Sequence, residues 1–257
     1  MQGSGLGPFS YAVAASDLRP KSCEVHMHKF ADDTYLVAAA THYAKILDEL
    51  KNIAEWAECN NLRLNKNKTR EIVFYKKRCT KRAPQPLESP GIERVTFMKV
   101  LGVTIQGDLS MNAHISNLLA DCSSLNFALN TLASHGLSKT ALQEIFRAKS
   151  LSKIIYASSA WWGFATVENI TRINSFLKKS KKQGYYPIEG PTFEAICSVA
   201  DERLLNKIIA NKLHVLHRFL PEKKSHYHNL RDRKHYFVLP VKDDRNFLNR
   251  VLYKNIF

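Results

Sequence analysis

The sequence has few acidic residues, no paired cysteines and no long apolar run, and each shortage excludes a class of protein. Its five cysteines lie far apart and form no Cys-x-x-Cys pair, so neither a disulfide scaffold nor a zinc finger is expected. No stretch approaches the roughly 18 apolar residues of a membrane span, and no signal peptide is visible. We therefore expect reduced thiols in an intracellular chain that is not secreted and has no membrane partner.

The shortage of acidic residues leaves a large positive charge. The 257 residues include 38 Lys and Arg against 23 Asp and Glu, which gives a formal net charge of +15. Residues 1–110 hold 16 basic and 12 acidic side chains, whereas residues 111–257 hold 22 and 11. A surplus of this size favours a polyanionic partner, most often nucleic acid. The positive field belongs to the second half of the chain.

Hydrophobic periodicity changes near the same place. The first part predicts a mixture of helices and strands: a helix over 6–18, strands over 23–30 and 34–40, a helix over 41–59, a strand over 70–76 and a strand pair over 94–106 broken at Gly102. The second part predicts helices over 111–134, 138–162, 167–183 and 192–219, with Ser138 as an N-cap. The predicted fold class is α+β, with an antiparallel sheet and packed helices in residues 1–110 and an all-α region in residues 111–257.

The helix predicted over 41–59 is amphipathic. Leu50, Ile53 and Ala57 share one face, while Asp48 and Glu49 lie elsewhere on the helix. This pattern predicts that the helix has one apolar face and that the acidic residues lie off that face.

Two adjacent acids, Asp32 and Asp33, lie in the segment Phe30-Ala31-Asp32-Asp33-Thr34 between two strand-like segments. A tight turn of this kind can present carboxylates to a metal ion. Neighbouring side chains on a strand point to opposite faces, so the two acids are not expected to contribute equally. A solvated Asp-Asp turn is the alternative, because a tripeptide as short as Ala-Asp-Asp also occurs by chance.

Further motifs stand in a fixed order around these acids. Gln2-Gly3-Ser4 precedes them, and Asn61-Leu62-x-Leu64-Asn65-x-x-Lys68-Thr69 follows. Next come Lys99-Val100-Leu101-Gly102-Val103-x-Ile105 and Leu109-x-x-x-x-His114-Ile115. This order and spacing resembles the reverse transcriptase of non-LTR (LINE-like) retrotransposons, an RNA-directed DNA polymerase. The resemblance implies that residues 1–110 form part of a polymerase palm and that residues 111–257 form a thumb and connection region.

The resemblance assigns catalytic roles to three residues. Asp32 is expected to be the principal metal ligand, with Asp33 closer to the primer end, and Lys68 is expected near the departing pyrophosphate. In the intact parent enzyme these groups would serve two Mg²⁺ or Mn²⁺ ions, which accept oxygen ligands. The alternative for Lys68 is an ordinary surface lysine.

The resemblance also assigns residues to the substrates, which are an RNA template, a DNA primer and dNTPs. Gln2, Gly3 and Ser4, with Phe30 and Ala31, would bind the incoming nucleotide and the template. Val100, Leu101 and Gly102 would grip the primer 3′ end. The alternatives are a flexible N-terminal loop and a plain strand turn.

Four lysines in the second half are candidates for contact with the nucleic-acid backbone, namely Lys178, Lys179, Lys181 and Lys182. The alternatives are a solvated helix face or a nuclear-import signal. The three tryptophans could stack on bases, but the sequence favours core positions for Trp56, Trp161 and Trp162.

Polymerase palms of this family carry a further Asp on an upstream strand, which this sequence does not contain. We therefore expect nucleotidyl transfer to belong to a longer parent and the chain to be inactive alone. The resemblance also implies a location in the nucleus and/or the cytoplasm. The alternative is a catalytically inactive retrotransposon remnant that only binds nucleic acid.

Overall fold

The computed structural model describes residues 6–76, 85–223 and 235–254. Strands occur only in the first part of the described chain, and helices dominate the rest. The strands are β1 Val25–Phe30, β2 Asp33–Ala38, β3 Arg70–Glu71, β4 Glu93–Arg94, β5 Phe97–Val100 and β6 Val103–Gln106. The helices are α1 Leu6–Ala14, α2 Tyr43–Cys59, α3 Asn112–Ser134, α4 Lys139–Phe146, α5 Ser152–Ile155, α6 Ser158–Trp161, α7 Val167–Lys182, α8 Phe193–Ala210 and α9 Phe247–Lys254. The mixture of helix and strand agrees with the expected α+β class.

Contacts divide the chain into two units, Met1–Met98 and Lys99–Phe257, with the boundary inside β5. The sequence-based boundary between residues 110 and 111 separates a palm from a thumb, and that functional division stays a prediction. The described residues form three two-stranded sheets, β1–β2, β3–β4 and β5–β6.

The first unit is built on the β1–β2 hairpin. Its strands pair antiparallel without interruption, from Val25 opposite Ala38 to Phe30 opposite Asp33. Helix α2 packs against both strands, and Ile53 and Ala57, one helical turn apart, are buried. This confirms the strands and the helix expected on either side of the acids. At the turn end of β1, Phe30 remains 62% exposed.

Glu49 contradicts the amphipathic pattern of α2, because it is only 1% exposed. Its Oε1 accepts a hydrogen bond from the Ser22 backbone N–H at 2.7 Å, and its Oε2 accepts one from Asn52 Nδ2 at 3.1 Å. A buried carboxylate is tolerated when donors satisfy it. Periodicity alone could not identify Ser22, which lies 27 residues away.

The strand expected over 70–76 was wrong in length. Only Arg70–Glu71 is a strand, and it pairs in parallel with Glu93–Arg94. Arg94 Nη2 contacts Glu71 Oε1 at 2.6 Å, between two largely buried side chains. Favourable β propensity extends a strand only where a neighbouring strand continues the ladder, and here the paired segment is two residues long.

The second unit has its core around α3. Ile115, Leu118, Cys122 and Leu129 are buried at spacings of three, four and seven residues, so they form one face of the helix. The largest fully buried side chains of this cluster are Trp161, Phe146 and Phe193, each at most 1% exposed. Trp161 is therefore a core residue, as the sequence favoured.

The helix expected over 138–162 is interrupted twice. Its N-cap is confirmed, since Ala141 N–H donates to Ser138 Oγ at 3.3 Å. A π-helical segment covers Arg147–Leu151, and the helix breaks at Tyr156 and Ala157, where Ala157 has a φ of 49°. Tertiary contacts of Tyr156, described below, compete with the helical conformation at this break.

The helix expected over 192–219 ends at Ala210. Asn211 takes an extended conformation, and its Oδ1 accepts a hydrogen bond from Leu213 N–H at 2.9 Å. This local side-chain turn is a common alternative to helix for asparagine. Only a short 3₁₀ turn, His217–Phe219, follows in the rest of the predicted range.

The cysteines in the described ranges are free thiols. Burial raises the pKa of the Cys122 thiol to about 11 and that of Cys197 to about 12, so both are protonated at neutral pH. Within the described residues no helix is long and apolar enough to cross a membrane.

Candidate functional site

The two acids lie at the tip of the β1–β2 hairpin. Phe30 and Asp33 form the last pair of the ladder, so Ala31 and Asp32 are the two-residue loop. Ala31 has a φ of 50°, which a tight hairpin loop requires at its first position. Phe30, Ala31, Asp32 and Asp33 are all exposed. The predicted turn is confirmed as local structure, and it presents its carboxylates to solvent.

The acids occupy different kinds of position. Asp32 is in the loop, whereas Asp33 belongs to the ladder, and its Oδ2 accepts a hydrogen bond from Tyr35 Oη at 3.2 Å. Two carboxylates supply hard oxygen ligands of the kind that Mg²⁺ binds, and Mg²⁺ completes its shell with water. Within the described ranges, no group of three or more His, Cys, Asp and Glu side chains could hold a metal ion. The donor set therefore fits Mg²⁺ chemically but consists of two acids.

The structure does not connect the other residues assigned to the first part of the site with the two acids. Gln2, Gly3 and Ser4 lie outside the described residues. Lys68 is exposed, and its backbone N–H donates to Asn65 at the carbonyl (3.1 Å) and the side-chain Oδ1 (3.2 Å). None of the hydrogen bonds and ion pairs among the described residues joins Lys68 to Asp32 or Asp33. The catalytic role of Lys68 stays a prediction.

The segment Val100-Leu101-Gly102 forms the second hairpin turn. Leu101 and Gly102 connect β5 to β6 with φ values of 45° and 87°. Positive φ at both loop residues matches the right-handed twist of a two-residue hairpin. The predicted strand turn is therefore present, and Leu101 is 40% exposed.

A tyrosine that the sequence did not single out for this turn holds it in place. Tyr156 Oη donates a hydrogen bond to the Leu101 carbonyl at 3.0 Å. The tyrosine ring also lies over Gly102, because a Cβ added there would meet Tyr156 Cε1 at 3.0 Å. The two residues joined by the hydrogen bond are 55 positions apart, and no local pattern could indicate the contact.

The same hairpin has a second attachment, at β6. The Thr104 backbone N–H donates to His114 Nδ1 at 3.3 Å, so neutral His114 carries its proton on Nε2. Burial, and next the positive charge of Lys99, lower the pKa of His114 below its usual value. The His114 and Trp161 rings pack in a T-shaped arrangement at a centroid distance of 4.9 Å. Trp161 Nε1 in turn donates to the Tyr156 carbonyl at 3.0 Å.

Helix α7 carries the lysines assigned to the nucleic-acid backbone. Its buried face includes Ile173, Phe176, Leu177 and Ser180, which directs Lys178, Lys179 and Lys182 to solvent. Lys181 differs, because its Nζ donates to the Gly190 carbonyl at 2.6 Å and lies 5.5 Å from the centre of the Tyr186 ring. Three of the four lysines are therefore exposed, and the fourth is engaged in an internal contact.

A buried ion pair that the sequence did not indicate ties α9 to α8. Arg250 Nε and Asp201 Oδ2 are 3.0 Å apart, with side chains 8% and 5% exposed. Trp162 Nε1 donates to the same carboxylate oxygen at 3.0 Å, and the guanidinium carbon lies 4.6 Å from the Trp162 ring centre.

Trp56 in the first unit is half-buried, and its Nε1 donates to Asp17 Oδ1 at 2.9 Å. Thus each indole N–H has a protein partner.

The described geometry defines a mixed α and β chain with two exposed hairpin turns, one acidic and one braced by a helical unit that carries exposed lysines. The chain is 30% identical over 132 residues to the RNA-directed DNA polymerase from mobile element jockey of Drosophila melanogaster. The match covers 46% of this chain and 14% of that relative. No protein-family model matches the chain, and no solved structure matches it. The similarity supports a distant relationship to a retrotransposon polymerase.

Proposed function

We propose that the chain is part of an RNA-directed DNA polymerase of a non-LTR retrotransposon. The observation that carries this proposal is the exposed two-residue hairpin bearing Asp32 and Asp33, in a chain similar to the jockey polymerase. The substrates would be an RNA template, a DNA primer and dNTPs, and the reaction would add a nucleotide to the primer 3′ end.

In this proposal Asp32 and Asp33 would hold divalent magnesium or manganese. The bound ions would neutralise charge on the triphosphate and activate the primer hydroxyl. The chain's own contribution is to place one carboxylate in the loop and the other in the ladder, where Tyr35 donates a hydrogen bond to Asp33. That hydrogen bond restricts Asp33 and leaves Asp32 the freer ligand, which supports Asp32 as the principal one. Lys68 would stabilise the departing pyrophosphate.

The test is Asp32→Asn in a polymerase that contains this chain. Loss of the ligand charge should lower primer extension with Mg²⁺ by at least about a hundredfold, since metal stabilisation of the transition state is worth several kcal/mol. Asp48→Asn is the matched control, because Asp48 is an exposed acid of α2 in the same unit. Primer extension by Asp32→Asn at the wild-type rate would overturn the proposal.

A second candidate function is nucleic-acid binding without catalysis. It is favoured by the surplus of 22 basic over 11 acidic residues in 111–257 and by the exposed side chains of Lys178, Lys179 and Lys182. In this case the lysines neutralise phosphates and release counterions, so affinity falls as salt rises.

The binding function is tested with a triple variant, Lys178→Gln, Lys179→Gln and Lys182→Gln. The slope of log affinity against log salt for a primer–template duplex should decrease by up to about 3. The control is a second triple variant, in which Lys207, Lys212 and Lys242, exposed lysines of the same unit, are each replaced by Gln. It has the same net charge and should alter the slope less. Equal slopes for both triple variants would refute a binding role for α7.

A further inference from the structure

We infer that Tyr156 is a positioning residue for the primer 3′ end. It holds the Leu101–Gly102 turn against the helical unit, so that the exposed side of the turn is presented in one orientation. The inference rests on the proposed function, because it takes this turn as the contact with the primer terminus.

The first step is the geometry of the hydroxyl. Tyr156 Oη donates to the Leu101 carbonyl at 3.0 Å, a normal hydrogen-bond length. Leu101 has a φ of 45°, a conformation that a residue with a Cβ rarely adopts without support. A hydrogen bond to the carbonyl of this strained residue favours the turn over other conformations of the same loop.

The second step is the close packing of the ring. Gly102 has a φ of 87°, and an added Cβ would lie 3.0 Å from Tyr156 Cε1. Glycine at this position therefore serves both the turn conformation and the approach of the aromatic ring. Ring and hydroxyl contact adjacent residues of the turn, which fixes its rotation as well as its distance from the helix break.

The third step is the support behind Tyr156. The helix breaks at this residue, which has a non-helical ψ of 124°, and the next residue, Ala157, takes a φ of 49°. Trp161 Nε1 donates to the Tyr156 carbonyl at 3.0 Å, and the Trp161 side chain is 1% exposed. The same indole contacts His114, which accepts the Thr104 N–H. One buried tryptophan thus supports both attachments of the hairpin.

The fourth step separates orientation from stability. Tyr156 is 55% exposed, so it removes little apolar surface from water and its loss should destabilise the unit only modestly. A residue kept at a strained break for general stability would be expected to be more deeply buried. Its two contacts are directed at the turn, which is what orientation of a bound strand end requires.

The experiment uses the 257-residue chain with Tyr156→Phe, which removes the hydroxyl and keeps the ring. Tyr253→Phe is the matched control, because Tyr253 Oη also donates to a backbone carbonyl, that of Pro240, at 2.8 Å. Two quantities are measured: hydrogen exchange of the 99–106 amides, and affinity for a primer–template with a recessed 3′ end relative to a blunt duplex. The thermal unfolding midpoint of each variant is recorded as the structural control.

Tyr156→Phe should accelerate exchange at 99–106 by about 2- to 10-fold, the loss expected for one hydrogen bond. It should reduce the preference for the recessed end by a similar factor, whereas Tyr253→Phe should change neither quantity. The thermal unfolding midpoints of the two variants should be comparable. Unchanged exchange and unchanged preference in Tyr156→Phe, with a clear preference in the wild type, would overturn the positioning role. A wild-type chain that does not prefer the recessed end would instead overturn the proposed primer contact, and the inference with it.

Discussion

The buried ion pair of Arg250 and Asp201 should contribute strongly to the stability of the helical unit. The effect of replacing either residue should depend on whether the other is present. Arg250→Met is expected to lower the free energy of unfolding by about 3–5 kcal/mol, the usual cost of removing one partner of a buried pair. Asp201 would keep one donor, Trp162 Nε1, and its Oδ1 already has no hydrogen-bond partner among the described residues. The variant therefore leaves an uncompensated buried carboxylate.

Asp201→Asn removes the charge of the other partner. It should lower the free energy of unfolding by less, about 1.5–3 kcal/mol, which is the range for a hydrogen bond to a charged group. The guanidinium retains three backbone acceptors, the carbonyls of Ser159, Asp244 and Arg245, at 3.1, 3.2 and 2.9 Å. Combining both changes removes the two charges together. The double variant should therefore be more stable than the sum of the single losses predicts, by about 1–3 kcal/mol.

The assay is urea unfolding followed by tryptophan fluorescence. A Trp56→Phe background removes the tryptophan of the first unit, so that emission reports on Trp161 and Trp162. Arg147→Met is the control, because its ion pair with Glu144 has side chains 72% and 61% exposed, and such pairs contribute little. Two results would refute this account of the pair. One is a double variant whose loss of unfolding free energy equals the sum of the two single losses. The other is an Arg250→Met loss no larger than that of Arg147→Met.

Three further changes test other contacts. The pKa of His114 is lowered in the folded state, so its stabilising contribution is present above pH ~6.5 and is lost as pH falls below it. The free energy of urea unfolding should therefore fall between pH 7 and 5, and His114→Gln should reduce the slope of that free energy against pH by up to about 1.4 kcal/mol per pH unit. An unchanged slope would contradict the prediction. Gly102→Ala should cost more stability than Gly136→Ala, because both glycines have nearly equal φ (87° and 86°) but only Gly102 faces Tyr156; equal unfolding midpoints would exclude the close contact. Ser138→Ala should lose about 1 kcal/mol of N-cap stabilisation, measured by thermal unfolding with Ser138→Thr as the control, and a wild-type midpoint would exclude the cap.

Local patterns predicted the hairpin of the two acids well. Strand propensity on both sides and a two-residue loop are properties of neighbouring residues, so β1, β2 and the Asp32 turn followed from the sequence. The same is true of α2 and of the cap at Ser138. Their catalytic meaning depends on metal and substrate, and it stays a proposal.

Local patterns failed where distant residues decide the conformation. The strand expected over 70–76 shortened because its partner β4 pairs with only two residues. The helix expected over 138–162 broke at Tyr156, whose hydroxyl is bonded to a residue 55 positions away. Glu49 was placed off the buried face, yet it is buried against the Ser22 backbone N–H. In each case the competing partner lies beyond the range of helix or strand periodicity.

From the sequence alone one could predict the order of strands and helices, the two tight turns and the concentration of positive charge in the second half. These features follow from side-chain periodicity, turn sterics and composition, which act within a few residues or over the whole chain. Three features came from the packing of the folded chain: Lys181 is engaged while Lys178 is exposed, Arg250 pairs with Asp201, and Tyr156 holds the Leu101 turn. The Lys181 contact reaches a carbonyl nine residues away, beyond the end of its helix. The other two contacts join residues some 50 positions apart, which carry no local sign of meeting. All three depend on which surfaces meet when the chain packs.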